Sequence, residues 1–160
     1  MAEFGVKAIP VNGFGTIAIV RNSAVPEGLK PGEIDSYLKQ SPLRDKYFVR
    51  PEGKDDFEKM DIKCANMSRG GLMAELEYKG ARVTLNDSDG VGTLKIGNHE
   101  LAYNDEETYG GGDEKAYNQA RDAHWKSVKE NIEASGLLGE GDQKNGLIPQ
   151  REMKSEWCLK

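Results

Sequence analysis

The chain has 160 residues, 37% of them hydrophobic and 31% charged, with a formal net charge of −5. That length fits one domain whose core needs neither metal nor disulfide. An acidic balance without a long basic run argues against a general nucleic-acid binder, which must displace counterions along a basic stripe.

Lysines and arginines are nonetheless scattered throughout, so the chain is no nucleic-acid mimic. A basic protein partner or a cation suits the balance better. The longest apolar run, residues 16–20, falls far short of a membrane span. Two cysteines, Cys64 and Cys158, make no disulfide framework and read as thiols in a reducing compartment. No basic region followed by an apolar stretch opens the chain, so a cytoplasmic location is expected, in the cell of origin or in a host cell.

Phe4, Val6 and Ala8 alternate with Gly5 and Lys7 as in a half-buried strand. Ile17, Ala18, Ile19 and Val20 form a continuous apolar run, the pattern of a strand covered on both faces. Asn12-Gly13 between them supplies hairpin-turn chemistry, and Pro10 places the first strand at an edge. Helical spacing of Ile34, Tyr37 and Leu38 predicts a short helix over 32–40, stopped by Ser41-Pro42. Tyr47-Phe48-Val49 reads as a short strand.

From residue 59 the alternation is regular. Met60, Ile62 and Cys64 share one face, and Leu72, Ala74, Leu76 and Tyr78 follow. Then come Ala81, Val83 and Leu85, next Leu94 and Ile96, and last Leu101 and Tyr103. Turn residues separate these segments, which predicts an antiparallel meander with one apolar face. Such a face needs a cover. The helix from Asp113 to about Ser135 carries Tyr117, His124, Trp125, Val128 and Ile132 on one stripe, with Gly136 as its cap. The predicted fold is α+β. A meander of five to seven strands is covered on one face by this long helix, with one short helix near the N-terminal end. Residues 1–136 form the domain and residues 137–160 a tail that docks on it or on a partner.

Candidate chemistry concentrates between Asn98 and Trp125. Asp105, Glu106, Glu107 and Asp113 surround Gly110-Gly111-Gly112 at a helix N-terminus. Four carboxylates would repel a phosphate. The plain reading is a solvated loop that offsets the helix dipole, against a divalent-cation loop or a docking site for a basic partner. Asp87, Asp89, Gly92 and Leu94 partly match a calcium-binding EF-hand loop. Val91 and Asn98 replace its main charge ligands and the flanks read as strands, so a hairpin loop is the better assignment.

His99 and His124 are the only histidines. Both fall on faces predicted to meet, where His99, Glu100 and His124 would be the weak candidates for acid–base or metal chemistry. No HxxxH, HExxH or CxxC spacing supports a metal, and no cofactor is expected. Arg121 is the oddity, a charge on the apolar stripe. It either snorkels to the rim, pairs with a carboxylate such as Glu100, or holds a carboxylate or phosphate ligand beside the acidic loop.

Nucleophile motifs are missing. The leading expectation is therefore a small binding or inhibitory protein that acts by macromolecular contact with a protein partner, or that self-assembles. Trp157 and Leu159 in the tail are the interface candidates. The second class is a small hydrolase-like enzyme using His99, His124 and carboxylates, with or without a divalent metal.

Overall fold

A computed structural model describes residues 5–21, 28, 30–34, 45–68, 71–88, 90–110 and 112–137. It contains eight strands: β1 (Gly5–Val11), β2 (Gly15–Arg21), β3 (Lys46–Pro51), β4 (Glu58–Ser68), β5 (Gly71–Tyr78), β6 (Ala81–Ser88), β7 (Val91–Ile96) and β8 (His99–Asn104). Two helices follow, α1 (Asp105–Tyr109) and α2 (Glu114–Ser135). Residues 31–34 are helical, and the rest of the predicted 32–40 helix lies outside the described residues.

All eight strands form one antiparallel sheet in the order β1 to β8. The meander therefore includes the N-terminal hairpin and exceeds the five to seven strands expected. The α+β class and the antiparallel sheet agree with the sequence reading. The sheet curls until β1 and β8 approach each other, although no ladder pairs them.

Curling gives the sheet an inside. Ile9, Val11, Ile17, Ile19, Tyr47, Val49, Met60, Ile62, Leu76, Val83, Leu85, Leu94 and Tyr103 fill it as one cluster. The meander's apolar face is thus buried against the first three strands, not under the helix. The helix does cover a sheet face, but a different one. Val128 and Ile132 of α2 pack on Ala8, Ala18, Val20, Phe48 and Phe57 on the outside of β1–β3. The continuous apolar runs of β2 and β3 follow from this, because those strands are buried on both faces.

Double-sided burial also inverts the phase expected for β1. Val6 and Ala8 face α2, while Ile9 and Val11 face the barrel interior. Lys7 belongs to the same row as Ile9 and Val11. In β4 the register shifts between Ile62 and Cys64, a bulge that changes which side chains point inward. Ala65, opposite Ala74, is buried, while Cys64, opposite Glu75, is only partly so. Cys64 is disulfide-bonded, which corrects its reading as a thiol packed in the core. The sequence's other cysteine, Cys158, lies outside the described residues.

Helix α2 begins and ends as its sequence requires. The Asp113 carboxylate accepts a hydrogen bond from the Lys115 amide at 3.0 Å, which satisfies one of the free N–H groups of the first turn. Gly136 closes the helix in the left-handed conformation. Among the described residues no helix is long and apolar enough to cross a membrane.

Candidate binding cleft at the barrel mouth

At one end of the barrel the start of β1, the end of β2, the β6–β7 turn, the start of α1 and the flank of α2 converge. They enclose a cleft of about 380 Å³ lined by Lys7, Arg21, Gly71, Leu72, Asp87, Gly90, Asp105, Tyr117, Arg121 and Trp125. Its floor is a buried ionic network. Asp87 continues the inward row of Val83 and Leu85, and its side chain is only 3% exposed. It accepts the Tyr103 hydroxyl at 2.7 Å and the Lys7 ammonium at 2.5 Å.

A carboxylate this deep is tolerable only when paired and hydrogen-bonded. Lys7 supplies the charge and Tyr103 a second donor. Burial, then the hydrogen bond and charge of Asp87, push the Tyr103 phenol far above its ordinary range, so it stays a donor. Gly92 makes this geometry possible. It lies between Asp87 and Tyr103 in the sheet register. A Cβ there would overlap the Asn86 carbonyl and stand 2.9 Å from the Tyr103 hydroxyl.

The rim is built by α1 and α2. The Asp105 amide donates to the Gly90 carbonyl at 2.9 Å, and the Asp105 carboxylate lies where a Gly90 side chain would be. Tyr117 donates its hydroxyl to Asp105 Oδ2 at 2.5 Å. Burial first, then the hydrogen bond to Asp105, raise the Tyr117 phenol, with Arg121 opposing.

Arg121 lies over two aromatic rings, 5.5 Å from the Tyr117 centroid and 5.1 Å from that of Trp125. Such stacking holds a guanidinium by its face and leaves its N–H edge available. The edge meets one carboxylate, Asp122 Oδ1, at 3.2 Å. That partner is 67% exposed and adds little energy. The Trp125 indole N–H is buried and makes no hydrogen bond of acceptable geometry.

Behind the rim, Tyr109 of α1 and His124 of α2 share a 2.8 Å hydrogen bond. Burial, then the charge of Arg50, hold His124 below its ordinary value of 6.5. The ring is therefore neutral near pH 7, with Nδ1 bonded to the Tyr109 hydroxyl. Tyr109 is pushed up to about 12, chiefly by burial, with the Trp125 indole pulling the other way and Asp105 adding to the rise.

The structure redistributes the residues singled out from sequence. Arg121 and Asp105 share the cleft. Glu106 and Glu107 are exposed, and Glu107 borders a separate groove of about 570 Å³ beside the β1–β2 turn. Asp113 is a helix cap. His99 and His124 do not meet. His99 has the predicted phase, in the row of Leu101 and Tyr103. It begins β8 next to the Gly97-Asn98 turn, however, at the barrel end away from Asp105, and is exposed. Glu100 is exposed opposite Lys95, so it is not the partner of Arg121. No group of three or more His, Cys, Asp or Glu suited to a metal occurs among the described residues. Trp157 and Leu159 lie outside them.

Sequence reasoning gave no site role to Lys7, Arg21 or Tyr103, and weighed Asp87 only within a partial calcium-loop match that it set aside for a hairpin loop. Asp87 carried a readable signal, since it extends the inward alternation of Val83 and Leu85. Lys7 did not, because its partner lies 80 positions away. Comparison with family models, with curated proteins and with solved structures finds no match to this chain.

Proposed function

We propose that the chain is a binding protein that acts by contact with a macromolecular partner through the barrel-mouth cleft. The observation that carries this reading is Arg121. It is fixed over Tyr117 and Trp125 at the rim, and the carboxylate its edge meets is solvent-exposed. Arginine and large aromatics dominate the energetic centres of protein interfaces, because they combine apolar area with directed donors.

The floor beneath supports the same reading. Asp87 is satisfied within the fold, so the cleft keeps its shape without a ligand, which lowers the ordering cost of binding. The enzyme alternative loses its motivation, since His99 and His124 stand apart and Glu100 is at the surface.

The test is affinity capture from the native cell extract with wild type and Arg121→Ala side by side. Unchanged circular dichroism and melting temperature would confirm an intact variant. A macromolecule retained by wild type and lost with Arg121→Ala is the expected result. Equal retention by both would overturn the proposal.

A further inference from the structure

The cleft is rich in donors that the protein itself does not use up. Among carboxylates, the Arg121 edge meets a single oxygen of Asp122, and it also acts on the Tyr117 hydroxyl. Arg21, which also lines the cleft, is exposed, and among the described residues it has no ion-pair partner. The Lys7 ammonium has three N–H donors, and Asp87 takes one. The carboxylates of the cleft, by contrast, are already engaged. Asp87 accepts from Lys7 and Tyr103, and Asp105 accepts from Tyr117 while tucked against Gly90. Two arginines thus line one cleft whose floor carboxylates are already engaged.

From this imbalance we infer that the cleft is an oxyanion site, taking a phosphate or carboxylate group between Arg121 and Arg21. Guanidinium forks match both groups by paired N–H···O bonds. A rigid, partly desolvated arginine costs less to order than a free one. The volume of about 380 Å³ falls within the roughly 300–1,000 Å³ usual for small-molecule sites. It therefore leaves space for the group that bears the anion. The chain's negative total does not oppose this, because at physiological salt charges more than about 8 Å away are largely screened.

The inference rests on the cleft being the recognition site, and it names the chemistry recognised there. Isothermal titration with inorganic phosphate and, separately, with acetate tests it. Saturable binding of at least one anion is expected, weakened at least tenfold by Arg121→Gln and by Arg21→Gln. Lys95→Gln, an exposed cation outside the cleft, should leave it unchanged. Preference for phosphate assigns a phosphate-bearing ligand, and preference for acetate a carboxylate-bearing one. Absence of binding by both anions, or equal weakening by Lys95→Gln, overturns the inference. A partner captured through Arg121 but not displaced by either anion would leave the proposed function standing and remove the oxyanion assignment. Anion binding without such a partner would do the reverse.

Discussion

Replacing Lys7 with Met removes the charge that neutralises Asp87 and leaves the stem's apolar volume in place. The side chains of Lys7 and Asp87 are 14% and 3% exposed, so water replaces the lost ammonium only in part. Breaking a buried pair from one side costs about 3–5 kcal/mol. The Tyr103 hydroxyl continues to donate to Asp87, which places the cost near the lower end, at about 3 kcal/mol. For a chain of this length that corresponds to a melting temperature lower by roughly 6–12 °C. Urea unfolding at pH 7, followed by circular dichroism, measures it. The double variant Lys7→Met with Asp87→Leu should recover at least half of the loss, because no charge is then buried. A single substitution costing under about 1 kcal/mol, or costs that simply add in the double variant, would refute the ionic floor.

The His124 linkage has a definite sign. Its folded value lies below the unfolded 6.5, so the unfolded chain binds the extra proton first, and stability falls as pH drops below about 6.5 toward the folded value. The stability difference between wild type and His124→Gln should shrink over that window, and a difference constant from pH 7.5 to 5 would contradict it. Gly92→Ala places a methyl group against the Asn86 carbonyl and should cost at least about 2 kcal/mol in urea unfolding; a cost within about 0.5 kcal/mol, the range of an ordinary surface change, would show that the sheet yields there. Cys64, being disulfide-bonded, should resist alkylation in denatured, unreduced protein and react after reduction. Labelling without reductant would overturn that assignment.

Much of the fold was legible because period-2 alternation and turn residues are local signals. β5 to β8 and the caps of α2 lie where Leu72–Tyr78, Val83–Leu85, Gly97-Asn98, Asp113 and Gly136 place them. The sheet's curl was not legible. Alternation says which side chains share a face, but not whether that face meets a helix or the sheet's own far end. Hence α2 was set against the meander, and Lys7 was read as outward although it shares the inward row of Ile9 and Val11. The bulge at Ile62/Cys64 hid the turning of Cys64 in the same way, since one extra residue reverses the phase without a composition signal. Of the site, Arg121 was visible as a charge within an apolar stripe. Arg21 and Lys7 were ordinary surface-like cations until the strands brought them to one mouth.

The central claim, that recognition occurs at the barrel mouth, is tested most directly by amide spectra of isotope-labelled chain with and without the captured partner. The largest changes are expected on Gly71, Leu72, Gly90, Asp105, Tyr117 and Arg121, which line the cleft. Changes confined to the far end, around Tyr78, Gly97 and His99, with the cleft amides unmoved, would contradict it.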